Sequence, residues 1–222
     1  MKSSDSSGSH RVGARKAARA LVDLVRFAHA ARRFRDLSIR DRARALPLLR
    51  NAWGNLGFAA DVCYLLAVLD YADARSGAIL ECGSGLTTVL LALAAPGRLW
   101  SLEHANDWRR HVRMRLWLAR THANVMLSPL KPYGAFQWYD IPSTLPSEFG
   151  LVVCDGPPGF TPGGRYGLLP LLGNRLPRGT VVLLDDAQRL DEQLVLKRWE
   201  EEAGWRYTIG DSGTATYAVV TV

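Results

Sequence analysis

Residues 81–88 read ECGSGLTT, and the segments on either side of them decide the fold. The apolar run 78–81 predicts a buried strand, and the apolar residues of 87–95 predict a helix. Glycines in such a turn let the backbone approach a ligand closely. The first turn of the helix presents free N–H groups to a carboxylate or a phosphate. The stretch therefore predicts a ligand-binding turn between a strand and a helix.

A carboxylate stands at the end of the next predicted strand, 99–103. This residue, Glu103, lies 20 residues after Gly83, where an acidic side chain accepts the hydroxyls of a bound ribose. The dinucleotide pattern G-x-G-x-x-G is broken, because Thr88 stands in place of its third glycine. The chain also contains no G-x-x-x-x-G-K-[ST] motif, which excludes an NTPase of that class. These residues favour a ligand of the adenosyl type.

From residue 77 onward, short apolar runs alternate with helical segments. This alternation predicts a parallel sheet covered by helices on both faces. The strand-like runs 205–209 and 214–222 are separated by four residues, which allows a hairpin but no crossover helix, so one final strand runs antiparallel. The other predicted elements are strands at 125–127, 151–155 and 181–185, and helices at 15–34, 57–74, 106–121 and 187–203.

With these motifs, residues 51–222 resemble the class I S-adenosylmethionine-dependent methyltransferases. The resemblance implies an α/β, Rossmann-like three-layer fold: a mostly parallel seven-stranded sheet with one antiparallel strand from the C-terminal hairpin. It implies S-adenosyl-L-methionine as the cofactor, with the methionine part at the glycine turn, the ribose at Glu103 and the adenosine beside His104. Ser128, after the third strand, is the polar candidate for the adenine. The cofactor-binding residues implied in this way are Trp53, Asn55, Glu81, Gly83, Ser84, Gly85, Thr87, Thr88, Glu103, His104, Ser128 and Asp155.

Three carboxylates follow the fourth and fifth strands of this predicted sheet. Asp155 ends one strand, and the pair Asp185-Asp186 ends the next. In this respect the chain is similar to small-molecule O-methyltransferases of the catechol and macrocin type, which hold a divalent cation at these places. The resemblance implies Mg²⁺ bound by all three carboxylates. Their hard oxygen atoms suit this ion, and a metal-bound hydroxyl loses its proton more easily.

Two other interpretations of the same carboxylates stay open. In the first, Asp155 or Asp185 acts as a catalytic general base without a metal. In the second, the carboxylates are structural. Asp186 then caps a helix that begins at Ala187, and Asp185 pairs with Arg189.

Three further segments are predicted to complete the cavity. Arg165, in the glycine-rich loop 159–166, is assigned a catalytic role as a bidentate clamp for an anionic group of the acceptor. Trp53 and Asn55 lie in the part that closes over the cofactor in similar enzymes, although packing of Trp53 on the core fits the sequence equally. Segment 133–139 carries four aromatic residues. It predicts a loop that stacks a flat acceptor or one that packs under its own aromatics.

The net charge of +7 belongs to the N-terminal part of the chain. Residues 1–50 carry 13 Lys and Arg against 4 Asp, whereas residues 51–222 carry 15 basic against 17 acidic residues. This asymmetry predicts a disordered tail over 1–14, a basic helical extension and cofactor lid over 15–74, and an S-adenosylmethionine-binding catalytic domain over 75–222. The basic arm is interpreted either as a solvated helix face or as a contact with nucleic acid or lipid.

Together these features predict a methyltransferase that acts on an oxygen atom of a small-molecule or natural-product acceptor. The alternatives are an N-methyltransferase or aminopropyl transferase on the same fold, and a non-catalytic adenosyl-binding module with a docking arm. Three separated cysteines and no long apolar run predict a cytoplasmic protein with reduced thiols and no membrane span. We expect no nucleic-acid partner, and a homodimer stays open. Arg outnumbers Lys by 24 to 4, which indicates a GC-rich bacterial genome.

Overall fold

The computed structural model of the protein describes residues 6–54, 59–211 and 215–222. The helices are α1 (Ser6–Arg35), α2 (Ile39–Trp53), α3 (Val62–Ala74), α4 (Leu86–Ala94), α5 (Asn106–Leu118), α6 (Leu168–Leu172) and α7 (Leu190–Ala203). The strands are β1 (Ile79–Cys82), β2 (Leu99–Glu103), β3 (Asn124–Leu127), β4 (Leu130–Tyr133), β5 (Phe136–Tyr139), β6 (Leu151–Cys154), β7 (Val181–Leu184), β8 (Arg206–Asp211) and β9 (Thr216–Thr221).

Seven strands form one sheet in the order β3-β2-β1-β6-β7-β9-β8. The first five of these are parallel to one another, and β9 is antiparallel to both β7 and β8. The predicted fold, with one reversed strand from a C-terminal hairpin, is therefore confirmed. The reversal follows from the short connection between β8 and β9, which leaves no room for a crossover helix.

Successive side chains of the central strands enter two separate cores, as the two-residue period of a strand requires. Ile79 and Val153 belong to the core formed with α1 to α5, whereas Leu80 and Val152 belong to the core formed with α6 and α7. Because β1, β6 and β7 are buried on both faces, their apolar runs are continuous rather than alternating. The result is the predicted three-layer arrangement.

The N-terminal helices differ in extent from the prediction. Helix α1 begins at Ser6 and so includes residues 6–14, which the sequence predicts to be disordered. Helix α2 has no counterpart in the prediction and contains Pro47. Helix α3 begins at Val62, where Asp61 accepts a hydrogen bond from the Cys63 N–H (2.9 Å). The predicted start of this helix at residue 57 lies outside the described residues.

Segment 133–139 is not a loop, and this part of the prediction is wrong. Strands β4 and β5 pair antiparallel across it, with Tyr133 opposite Phe136. Gly134 takes the left-handed conformation at the turn (φ +72°), which glycine adopts without strain. Trp138 and Tyr139 are fully buried against the α6–α7 side of the sheet. The aromatic residues of this segment thus form core and cavity wall instead of an exposed stacking loop.

Two further observations concern the described residues. None of the helices combines the length and the apolar character that a membrane span requires. Cys63, Cys82 and Cys154 are all free thiols, as the sequence predicts.

Candidate active site

The carboxyl ends of the parallel strands meet around a cavity of about 910 Å³. Such an edge is where open α/β sheets bind their ligands, because loops from several strands converge there. The sequence-predicted residues that line the cavity are Trp53, Gly83, Ser84, Gly85, Thr87, Glu103, His104, Asp155, Arg165, Asp185 and Asp186. The structure therefore brings together most of the site that the sequence predicts.

Three predicted residues lie behind the cavity wall, and one is outside the described ranges. Glu81 and Thr88 are fully buried and are absent from the lining. Ser128 is also fully buried, and its backbone N–H donates to the carbonyl of Glu103 (2.7 Å). Ser128 does not line the cavity, and its contact with adenine stays a prediction. Asn55 lies outside the described residues.

Gly83 and Gly85, the two glycines of the β1–α4 turn, differ in backbone conformation and in the space around them. Gly83 has a left-handed backbone (φ +89°), and a Cβ atom there would lie 3.0 Å from the backbone nitrogen of Gly156. The β1 and β6 loops thus touch at this point. Gly85 has an extended φ, and a Cβ atom there would meet no heavy atom within 4 Å. Since Gly85 lines the cavity, the open space beside it is available to a ligand.

Glu81, buried at β1, holds the glycine turn through hydrogen bonds. The hydroxyls of Thr87 and Thr88 each donate to its carboxylate at 2.6 Å, and the N–H of Gly85 donates to the Thr88 hydroxyl (2.8 Å). Burial raises the pKa of Glu81 from 4.5 to about 7, although these hydrogen bonds oppose the shift. Glu81 and Thr88 therefore shape the turn from within the protein, and Thr87 alone of the three reaches the cavity.

Glu81→Gln is expected to change how stability depends on pH. The folded protein binds the Glu81 proton more tightly than the unfolded chain, so this residue costs stability as the pH rises from about 4.5 to 7. The shift corresponds to about 3 kcal/mol. Relative to wild type, the variant should therefore gain about 3 kcal/mol in unfolding free energy between pH 4 and pH 8. Urea unfolding at both pH values measures this, and parallel pH profiles for the two proteins would contradict it.

Glu103 is held by four hydrogen-bond donors at the end of β2. The backbone N–H groups of Ser84 (3.1 Å) and Ala105 (2.8 Å) donate to its two oxygens. The Ser84 hydroxyl (2.6 Å) and the His104 Nδ1 atom (3.1 Å) contact the same two oxygens. Burial acts to raise the pKa of Glu103, but the hydrogen bonds from His104, Ser84 and Ala105 hold it below 4.5. The cavity thus contains an ionised carboxylate in a fixed orientation.

Aromatic residues connect the N-terminal helices to this end of the cavity. Trp53, at the end of α2, is 2% exposed and packs edge-on against Trp108 (6.2 Å between ring centroids). Trp108 stacks on His111 and donates from Nε1 to the backbone carbonyl of Ser84 (2.7 Å). Trp53 therefore packs on the core and also lines the cavity, so both roles predicted for it from the sequence are compatible with its position. Trp108 was not predicted as a site residue.

Asp155, Asp185 and Asp186 converge in the same cavity, after β6 and β7. One oxygen from each side chain lies within 4.8 Å of the others. Burial and then the neighbouring charge of Asp185 raise the pKa of Asp155 well above its ordinary value. Burial and then Asp186 raise the pKa of Asp185 to about 6. The three carboxylates are thus brought together as predicted.

The structural interpretation of these carboxylates is wrong in its details. Helix α7 begins at Leu190, so Asp186 does not cap it. Asp186 instead forms an ion pair with Arg189, with 2.8 Å between Asp186 Oδ2 and Arg189 Nη1. Asp185 accepts the N–H of Asp186 (2.9 Å), which has the left-handed conformation (φ +60°). The loop before α7 therefore turns both side chains toward the cavity.

Arg165 is buried among the carboxylates, which corrects its predicted role as a clamp for the acceptor. It is 1% exposed. Its Nη1 atom donates to the backbone carbonyl of Asp185, and its Nη2 atom donates to the backbone carbonyl of Asp155 (2.9 Å). Nη2 also lies 3.4 Å from Asp155 Oδ1 and 3.1 Å from Asp186 Oδ2. Both Nη atoms of the guanidinium group thus donate to the protein itself, whereas Nε has no hydrogen-bond partner among the described residues.

Tyr139 is a cavity residue that sequence reasoning missed. It closes β5, is fully buried and lines the cavity. Its hydroxyl has no hydrogen-bond partner among the described residues. The hydroxyl oxygen itself is buried and lies against Gly156, where a Cβ atom would collide with it. The only signal in the sequence was the aromatic segment, which was interpreted as a loop.

No protein-family model matches the chain, and no curated protein matches it. Solved structures do match it. The O-methyltransferase from Bacillus cereus in complex with SAH is 13% identical with a TM-score of 0.54, over 81% of this chain and 90% of that one. Precorrin-6y C5,15-methyltransferase from Geobacter metallireducens is 16% identical with a TM-score of 0.53, over 74% and 90% of the two chains.

A methyltransferase from Pyrococcus furiosus is 18% identical with a TM-score of 0.51, over 80% of this chain and 96% of that one. These three likenesses place the chain in the Rossmann-like methyltransferase fold. At such low identity they establish the fold, and the function has to be argued from the site itself.

Proposed function

We propose that the protein is an S-adenosylmethionine-dependent methyltransferase with a small-molecule acceptor. One observation carries the proposal. A single cavity is lined by an oriented, ionised Glu103 after β2, an open glycine turn after β1, and Asp155 after β6. Glu103 and the glycine turn suit a nucleoside, and Asp155 suits an acceptor that gives up a proton.

The residues present fit S-adenosyl-L-methionine. The open space at Gly85 gives the ligand room beside the glycine turn. The cavity volume of about 910 Å³ lies at the upper end of the range for small-molecule sites, which leaves room for a second small molecule.

Glu103 is prepared to bind the two hydroxyls of a ribose. A carboxylate has about four acceptor positions, and protein donors fill all of them. Two of those donors are backbone N–H groups, which fix the orientation of the carboxylate. The other two are the side chains of Ser84 and His104. Rotation of these two side chains would free two acceptor positions for the ribose hydroxyls.

When bound, S-adenosyl-L-methionine supplies a methyl group on a positively charged sulfur. Asp155 is placed to accept the proton that an acceptor hydroxyl gives up. Its raised pKa suits this task, since a general base works best when its pKa lies near the working pH. Holding acceptor and donor in line supplies much of the remaining acceleration. Phe160, which lines the cavity and is 88% exposed, offers an aromatic face to the acceptor.

An acceptor screen tests this proposal. Purified protein is incubated with methyl-labelled S-adenosyl-L-methionine and with panels of phenols, alcohols and amines. We expect transfer of the label to a hydroxyl compound. Transfer to amines alone would replace the O-methyltransferase assignment by an N-methyltransferase one. Cofactor binding without transfer to any panel would favour a non-catalytic adenosyl-binding module.

Glu103→Gln is expected to weaken cofactor binding while the protein stays folded. The amide keeps an acceptor oxygen for one of the two backbone donors but lacks the charge and the second acceptor. We expect a loss of about 1.5–3 kcal/mol in binding free energy, the usual value for hydrogen bonds to a charged group. Calorimetric titration measures it, with the exposed Glu201→Gln as a matched control. Equal affinities in wild type and Glu103→Gln would remove Glu103 from the site.

A further inference from the structure

The carboxylates of the cavity already have a cation that the protein itself provides. Arg165 lies between Asp155 and Asp186, with its Nη2 atom 3.4 Å and 3.1 Å from their carboxylate oxygens. A divalent ion bridging the same oxygens would occupy this neighbourhood. Its charge would repel the guanidinium strongly, because both cations would share a poorly solvated site.

Arg165 also contacts Glu192, a buried carboxylate that does not line the cavity. Glu192, on α7, is fully buried, and its Oε1 atom lies 3.5 Å from the Arg165 Nε atom. The carboxylate of Glu192 has no hydrogen-bond partner among the described residues. Arg165 is therefore its principal compensating charge, and moving the guanidinium away would leave Glu192 buried and unpaired.

The loop that carries Arg165 is fixed to the body of the protein. The carbonyl of Pro162 accepts the N–H of Gln137 on β5 (2.9 Å). Gly163 has a left-handed backbone (φ +80°) and lies against Phe136, where a Cβ atom would collide with the ring-bearing side chain. Gly167 lies equally close to Trp138. These contacts hold the segment around Arg165 in place.

The geometry points to Arg165 as the resident counter-ion of Asp155 and Asp186, with its Nη1 atom on the backbone carbonyl of Asp185, in the position where a divalent cation would otherwise bind. The three carboxylates therefore do not form a Mg²⁺ site. Asp155 is kept oriented by its contact with Arg165 and serves as a proton acceptor without a metal. In its catalytic part this inference rests on the proposed function, whereas the exclusion of a divalent cation is a binding property that stands apart from it.

The test measures binding of Mn²⁺, which has the same preference for oxygen ligands as Mg²⁺ and is visible by electron paramagnetic resonance. The full-length protein is titrated with Mn²⁺ alone, and the signal of the free ion is followed. Wild type is expected to bind no Mn²⁺ in the submillimolar range. Arg165→Met removes the charge and should gain Mn²⁺ affinity by roughly tenfold or more, because the carboxylates lose their counter-ion. Adding Asp155→Asn to this variant should abolish the gain.

Two control variants separate charge from simple loss of structure. Arg165→Lys keeps a buried cation and should exclude Mn²⁺ as wild type does. Arg189→Met removes the half-exposed partner of Asp186 and should change Mn²⁺ affinity by less than about threefold, since exposed pairs are weak and solvent-screened. Submillimolar Mn²⁺ binding by wild type that Asp155→Asn or Asp186→Asn removes would overturn the inference. A folded Arg165→Met that binds no more Mn²⁺ than wild type would overturn it as well.

The wild-type titration decides the question even if Arg165→Met fails to fold, because the exclusion of Mn²⁺ is claimed for wild type itself. Calorimetry with S-adenosyl-L-methionine on the same preparation reports on the proposed function separately. A protein that binds the cofactor and also binds Mn²⁺ through Asp155 refutes only the role of Arg165. A protein that excludes Mn²⁺ and does not bind the cofactor refutes only the proposed function.

Discussion

Gly85→Val is expected to abolish S-adenosyl-L-methionine binding while leaving the protein folded. A Cβ atom at this position meets nothing within 4 Å, and φ is close to 180°, so the backbone accepts a valine. Its side chain would instead fill the part of the cavity beside the glycine turn. Steric overlap with a ligand there should lower affinity by on the order of 100-fold or more. Calorimetry gives the affinity, and circular dichroism with thermal melting confirms the fold.

Gly83→Val is the matched comparison, because the two glycines share one turn. Valine at Gly83 requires a left-handed backbone and brings its Cβ atom to 3.0 Å from the nitrogen of Gly156. We expect a loss of about 1–3 kcal/mol in stability from this strain. It should be visible as a lower melting temperature, which Gly85→Val does not show. The assignment of the cofactor to this turn would fail if Gly85→Val bound S-adenosyl-L-methionine as tightly as wild type.

Asp155→Asn is expected to lower the rate of methyl transfer by roughly 10²–10⁴-fold, the range for loss of a general acid or base. Cofactor affinity should change little, because the amide keeps the shape of the side chain and Glu103 is untouched. Single-turnover kinetics with the best acceptor of the screen measures the rate, and calorimetry measures the affinity. The rate of wild type should rise with pH as Asp155 loses its proton, and this rise should vanish in the variant.

Asp191→Asn is the control for this comparison. Asp191 is exposed in the first turn of α7, outside the cavity lining, so the substitution should leave the rate within about twofold of wild type. If Asp155→Asn transferred methyl groups at the wild-type rate, Asp155 would not be the proton acceptor. The carboxylates would then have a purely electrostatic or structural role.

The sheet could be predicted from the sequence because its signals are local. Strands β1, β6 and β7 are continuous apolar runs buried on both faces, and the four residues between the last two predicted strands allow only a hairpin. Glu103 was found for the same reason, since it closes β2 directly after an apolar run. Where secondary structure and spacing fix a position, the sequence suffices.

Helix α2 was missed because its stability comes from tertiary packing. Its sequence is rich in arginine and contains Pro47 in the interior, which disfavours an isolated helix. Leu46, Leu49 and Trp53 are nevertheless buried in the core that α1 also contributes to. That partnership depends on the approach of two segments, and no local pattern reports it.

Arg165 was misinterpreted because burial of a loop residue is a long-range property. A glycine-rich loop with one arginine predicts an exposed, mobile clamp. The structure instead buries this arginine against Glu192, which lies 27 residues further along the chain on α7. Tyr139 was overlooked for a related reason, since its place at the cavity depends on the pairing of β4 with β5.

Isothermal titration of the full-length protein with S-adenosyl-L-methionine tests the central claim most directly. We expect one binding site per chain, competition by S-adenosylhomocysteine, and a clear loss of affinity in both Glu103→Gln and Gly85→Val. NAD⁺ and ATP should give no binding, because the chain lacks their phosphate-binding patterns. Absence of binding by folded wild type, or binding that neither variant weakens, would contradict the account.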